Sequence, residues 1–226
     1  MECLEKMWLK NIEAEVVKAA WGIQHTFAAR FLDSRGSLIE SGLKLFEKPR
    51  EAEIRIENGF FGEEIRLQSK SEGLLLTLNS RKTTIEVGLP NSLDEFSQLI
   101  ERFCNEQFVK NYFSNLEFNF IGTVYKVRGT EVDNIASSLL PQCKNIFNCP
   151  GKDIPFARIT YIDGNYRVHL TLSLNPDTKR YDLDLDTQKI HSISFSEAPL
   201  LVKEGYNRLE AFFHQFKPSI KKGGKP

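Results

Sequence analysis

Apolar and polar residues alternate with a period of two through "EIRIENGFFGEEIRLQS" (53–69), as strands with one buried face do. Asn58-Gly59 in its middle predicts a hairpin turn. "ARITYIDGNYRVHLTLS" (157–173) has the same pattern around Asp163-Gly164. Two more stretches, "LTLNSRKTTIEV" (76–87) and "LDLDTQKIHSIS" (183–194), both open on Leu-polar-Leu-polar, pass through a short polar segment and resume alternating. The turns expected there are at 79–82 and 186–189.

The period becomes helical in "SLDEFSQLIERFCNEQF" (92–108). Phe96, Leu99, Ile100, Phe103 and Phe108 recur mostly every three or four residues behind a cap at Ser92 or Asp94. "PLLVKEGYNRLEAFFHQF" (199–216) carries Leu201, Val202, Leu209, Phe212, Phe213 and Phe216 in a similar stripe. Gly205 is expected to weaken that helix only slightly. Earlier in each half, 23–49 reads as a strand, a turn at Arg35-Gly36 and a helix, and 118–141 as a strand, a turn at Arg128-Gly129 and a helix.

Strand, helix, three or four antiparallel strands, helix: this order occurs twice. It divides the chain into a leader (1–22), repeat one (23–112), repeat two (113–217) and a basic tail (218–226). In the leader, Leu9, Ile12, Val16 and Ala20 fit a helix or a strand equally well. The stretch 141–155 holds three prolines and is expected to be a loop, and "KPSIKKGGKP" at the end is expected to fray. The predicted fold class is α+β, with two tandem repeats sharing one curved sheet covered by helices on one face.

A tandem strand-helix-strands-helix unit over roughly 23–216 resembles the TATA-binding-protein-like fold. The resemblance implies two sheets joined into a saddle, and nucleic acid as a partner. The outward positions would be Glu53, Arg55, Glu57, Glu64, Arg66 and Gln68 in repeat one, and Arg167, His169, Thr171, Asp182, Asp184 and Asp186 in repeat two. That surface is mixed and partly acidic, which opposes a duplex. The Asp-x-Asp strand (Asp184, Asp186) with a last helix bearing Leu209, His214 and Phe216 is also similar to a sporadically distributed bacterial family of duplicated α+β proteins. That family has no established activity, so the similarity adds no chemistry.

Composition narrows the classes. Thirty basic residues balance thirty acidic ones over 226 positions, which removes the electrostatic footprint of a general nucleic-acid binder. There is no continuous apolar run of spanning length, and acids interrupt the hydrophobic positions near the N-terminus, so a cytoplasmic protein without a membrane partner is expected. Cys3, Cys104, Cys143 and Cys149 lack zinc-ribbon spacing and read as free thiols. No cofactor is implied.

Asp182, Asp184 and Asp186 alternate along one strand and so share one face. They are weak metal candidates, because an EF-hand counted from Asp182 has Thr187 and Ile193 where Gly and Glu belong. A solvated face with Arg167 or Arg180 as partner explains them without a metal. Among His25, His169, His191 and His214 no pair has metal-ligand spacing. His169, between Arg167 and Thr171, is placed to meet Asp184 across the sheet. No nucleophile-elbow motif occurs, and Gly59, Gly62 and Gly73 lie among acids, which oppose a phosphate. Phe60-Phe61 beside a hairpin turn reads either as a partner anchor or as packing.

The sequence therefore predicts no catalytic residue. It predicts a non-catalytic interaction module that docks a protein through its sheet face or edge strands, as a monomeric pseudo-dimer or a homodimer. Phe60, Phe61, Arg66, Arg167, His169 and Asp184 are the candidate contacts. A nucleic-acid binder is the alternative, and would have to gather Arg30, Arg35, Arg50, Arg81, Lys82, Arg158 and the C-terminal lysines on one surface. A metal-assisted hydrolase built on the three aspartates is the second alternative.

Overall fold

The computed structural model describes residues 7, 9, 12–60, 62–146, 156–191 and 193–215, without the side chains of 141–146. Its elements are β1 (Ala14–His25), α1 (Phe31–Leu43), β2 (Glu53–Gly59), β3 (Gly62–Ser69), β4 (Leu74–Asn79), β5 (Lys82–Gly88), α2 (Leu93–Asn105) and α3 (Gln107–Phe113). There follow β6 (Phe118–Gly129), α4 (Thr130–Ile146), β7 (Phe156–Asp163), β8 (Tyr166–Leu174), β9 (Tyr181–Lys189) and α5 (Ala198–Gln215). The nine strands form one antiparallel sheet in the order β2-β3-β4-β5-β1-β6-β9-β8-β7. The α+β class expected from the alternation is the class observed.

The pleat sorts every strand into two faces. Ala19, Trp21 and Ile23 of β1, Tyr125 and Val127 of β6, Leu76 and Leu78 of β4, and Leu183 and Leu185 of β9 are buried beneath the helices. The positions between them, Lys18, Lys126, Thr77 and Asp184 among them, look out from the other face. Helices α2 and α5 pack on each other over the centre, where Tyr125 donates a hydrogen bond from its phenol to the Val202 carbonyl at 2.7 Å. Trp21, Phe103 and Phe113 meet edge to face in the same layer.

Outward from the central pair, the order is β1, β5, β4, β3, β2 on one side and β6, β9, β8, β7 on the other. Among the described residues, strand β2 has no counterpart beyond β7. The two predicted hairpins at Asn58-Gly59 and Asp163-Gly164 therefore occupy different places, since Asp163-Gly164 joins β7 to β8, in the positions that β3 and β4 hold in the first half.

The expected equivalence of 76–87 with 183–194 is corrected in the same way. The first stretch is the hairpin of β4 and β5, as predicted, but β9 runs straight through 186–189. The reason is local hydrogen bonding. Asn79 Oδ1 accepts the backbone N–H of Arg81 at 2.9 Å and of Lys82 at 2.7 Å, which folds the chain back. Asp186 instead accepts from the Gln188 side chain at 2.8 Å and leaves the backbone to the ladder. The turn of the second half lies at 175–180, where Asn175 Oδ1 accepts from the N–H groups of Asp177 and Thr178 at 3.0 and 3.2 Å.

Other boundaries move. Strand β1 begins at Ala14, inside the expected leader, because eleven of its residues find partners on β6. Arg35-Gly36 lies within α1 and makes no turn. Ser92 caps α2 as expected, its hydroxyl accepting Glu95 N–H at 3.1 Å. The helix breaks at Glu106, whose carboxylate accepts Val109 N–H at 3.0 Å and starts α3. The backbone of α4 continues to Ile146, so 141–146 is helix where a loop was expected. The rest of that loop and the basic tail lie outside the described residues.

Candidate functional site

The aspartates of β9 were the most conspicuous polar feature of the sequence, and each has acquired a neighbour. Asp182 sits opposite Arg128 of β6 and is gripped by it in a fork, Nε to Oδ1 at 2.6 Å and Nη2 to Oδ2 at 3.0 Å. Asp184 lies opposite Lys126, with Nζ 3.6 Å from Oδ1. Asp186 has Val124 on one side and His169 on the other. The sequence-level pairings are thus revised: His169 faces Asp186 rather than Asp184, and Arg180 binds Asp133 at 2.7 Å. Cross-strand partners follow register, and register is invisible until the strands are ordered.

Burial holds the carboxyls of Asp184 and Asp186 above the usual carboxylate range, against the attraction of Lys126 for the first and the Gln188 amide for the second. The His169 imidazole is pushed below its ordinary value by burial and by Arg158. Its Nδ1 shares a hydrogen with Thr160 Oγ1 at 2.8 Å. Among the described residues, no three carboxylate, thiol or imidazole groups converge as a metal ligand set. Cys104 is buried, and its thiol is pushed up to about 12 by desolvation, which keeps it protonated and unreactive.

The expected contact residues separate into two groups. Arg167, His169 and Asp184 stand together on the outward face of β8 and β9. Arg66 and Phe60 belong to the other end of the sheet, beyond β4, β5, β1 and β6. Arg66 is held by Glu57 and Glu64, each at 2.7 Å, and Phe60 is 95% exposed at the β2 hairpin. Phe61 lies outside the described residues. The arginines that a nucleic-acid reading needs are also dispersed. Arg35 of α1 pairs with Glu63 at 2.9 Å, Arg81 lies over the Phe27 ring in the turn after β4, and Arg158 is on β7.

Edge strands were expected as one docking surface without being assigned, and the fold assigns them to β2 and β7, the least covered strands. Ile54 and Ile56 of β2 are about half exposed on the helix side of the sheet, at 46% and 49%. On β7, Ile159 and Tyr161 are exposed on the helix side, and Ile162, 60% exposed, on the other. The alternation in both strands was legible from the start. What could not be read was that the helices stop short of them.

No known protein family matches the chain in sequence, and no curated protein matches it. Compared with the solved structure of S. pombe Pct1 RNA triphosphatase, 92% of this chain and 81% of that one are covered at 9% identity, with a TM-score of 0.14, a value that corresponds to no shared architecture. No helix of the described residues is long and apolar enough to cross a membrane.

Proposed function

We propose that the chain is a non-catalytic interaction protein that takes up an extended segment of a protein partner alongside β7. The observation that carries this reading is β7 itself. Among the described residues its one strand partner is β8, and Phe156, Ile159, Tyr161 and Ile162 are exposed across its two faces. An added strand would satisfy the free backbone edge and cover apolar groups on alternate residues, which is how extended peptides bind sheet edges. The ion-paired outward face offers less, because Arg128 and Lys126 already spend their charge on Asp182 and Asp184.

The two halves are read as fused copies of one unit, in keeping with a TATA-binding-protein-like arrangement. The mirrored strand order and the matching Asn79 and Asn175 turns support this. Nucleic-acid binding and metal-assisted hydrolysis have weaker support, the first because its arginines are dispersed and the second because each aspartate has a neighbour in place.

The test is capture of partners from nuclease-treated lysate with the parent chain and with an Ile159→Lys/Ile162→Lys variant. Both substitutions are at exposed positions, so the fold should persist. A protein held by the parent and lost from the variant, with amides 158–162 slowed in hydrogen exchange by the purified partner, is the expected result. Retention by the variant, or capture of nucleic acid alone without nuclease, would overturn the reading.

A further inference from the structure

Strand β2 poses a separate problem, independent of β7. Among the described residues it has no counterpart at the β7 end and pairs with β3 alone, and it is exposed from Glu53 to Asn58. Its cross-strand charges are badly matched. Arg55 stands directly opposite Arg66, and Glu57 directly opposite Glu64. Like charges face to face on adjacent strands are unfavourable. They are relieved within each strand, by Arg55 to Glu53 at 2.8 Å and Arg66 to Glu64 at 2.7 Å, and along one diagonal, by Arg66 to Glu57 at 2.7 Å. Each β2 charge thus lacks an opposite charge directly across the ladder.

The geometry points to a second copy of this chain as what completes β2, its own β2 adding antiparallel about a two-fold axis through Ile56. Antiparallel strands that keep apolar residues on one face must set odd positions against odd and even against even. Centring the axis on Arg55 would put Arg55 against Arg55 and Glu53 against Glu57, repulsive at every charged position. Centring it on Ile54 would run the pairing past the start of β2 into the 3-10 turn at Pro49–Glu51. Centring it on Ile56 uses all seven residues of Glu53–Gly59 and sets Arg55 opposite Glu57 of the second copy, twice by symmetry.

In that register each Glu57 has Arg66 of its own chain and Arg55 of the other beside it. The half-exposed Ile56 side chains meet on the axis, and the apolar layer beneath the helices continues from one copy into the next. The existing pairs are exposed, so rearranging them costs little. One strand pair is a small interface, and the association is accordingly weak and concentration-dependent.

Charge complementation tests both the partner and the register. Sedimentation velocity over a concentration series should show dimer for the parent chain. Arg55→Glu alone creates two Glu-Glu contacts and Glu57→Arg alone two Arg-Arg contacts, and each should weaken association at least about tenfold. In a mixture of the two variants, the introduced glutamate of one chain faces the introduced arginine of the other, and the Glu57 and Arg55 they retain face each other as in the parent. Dimer between unlike chains should then be restored. Ile56→Cys should form a disulfide between chains on mild oxidation, and Ile159→Cys on β7 should not. A parent chain that remains monomeric at the highest soluble concentration overturns the proposal. So do single variants that dimerise normally, a mixture that stays monomeric, and species that grow beyond dimer, which would mean β2 pairing head to tail with β7. Apart from that last outcome, which would occupy the β7 edge, none of these results bears on whether β7 binds another protein.

Discussion

Gly205 of α5 lies directly against Thr123 of the central strand β6, so close that a Cβ on Gly205 would overlap the threonine hydroxyl. By helix propensity alone Gly205→Ala is favourable by about 1 kcal/mol. The contact reverses the sign. Crowding α5 off the sheet is expected to cost about 1–3 kcal/mol, with a lower Tm. Adding Thr123→Ala should recover most of the loss, and thermal melts of the two single variants and the double variant check the coupling.

Asn79 and Asn175 each accept two backbone N–H groups and close the hairpins on either side of the central pair. Asn79 is buried, whereas the 175–180 turn is largely exposed. Asn79→Ala should therefore cost about 2 kcal/mol and Asn175→Ala about 1 kcal/mol in chemical denaturation. Equal losses would contradict this account.

The Asp186 carboxyl is pushed above the usual range by burial, so the folded state holds its proton more tightly than the unfolded chain does. Stability from this group is present below the unfolded pKa and falls as pH rises through the folded one. Asp186→Asn keeps the polar contact with Gln188 and removes the charge. Its Tm should exceed the parent's at pH 7, and the difference should shrink as pH falls toward about 4 and level off below it.

His25 has the opposite linkage. It is buried at the end of β1, its Nδ1 in contact with the Thr26 carbonyl oxygen at 2.8 Å and its ring edge-on to Phe113. Burial lowers its proton affinity despite that contact. Its contribution is fully present above the unfolded value near about 6.5 and is lost as pH falls from there toward the folded value. Stability measured between about pH 7.5 and 5 should decline with acidification, and His25→Gln should make that slope shallower whatever its effect at neutral pH.

How far the candidate contacts were legible depended on distance along the chain. Ser92 as a cap, Asn79 in a turn and the shared face of Asp182, Asp184 and Asp186 are matters of a few neighbouring residues, and all were readable. The partner of Asp182 was not, because Arg128 lies 54 positions away and meets it only once β6 and β9 are adjacent. The turn at 186–189 was misplaced because Asp186 and Asn79 look alike in a polar stretch, and only their hydrogen bonds tell them apart.

The sequence by itself determined the α+β class, the two-faced strands and the amphipathic α2 and α5, since each follows from a period of two or about 3.6 within one segment. Tertiary structure decided that β1 and β6 form the centre, that β2 and β7 end the described sheet, and that Gly205 admits no side chain. It also decided that Ile54, Ile56, Ile159 and Tyr161 are left uncovered. Those outcomes rest on which segments become neighbours and where the helical layer ends. A pattern that marks a residue as apolar carries no information about either.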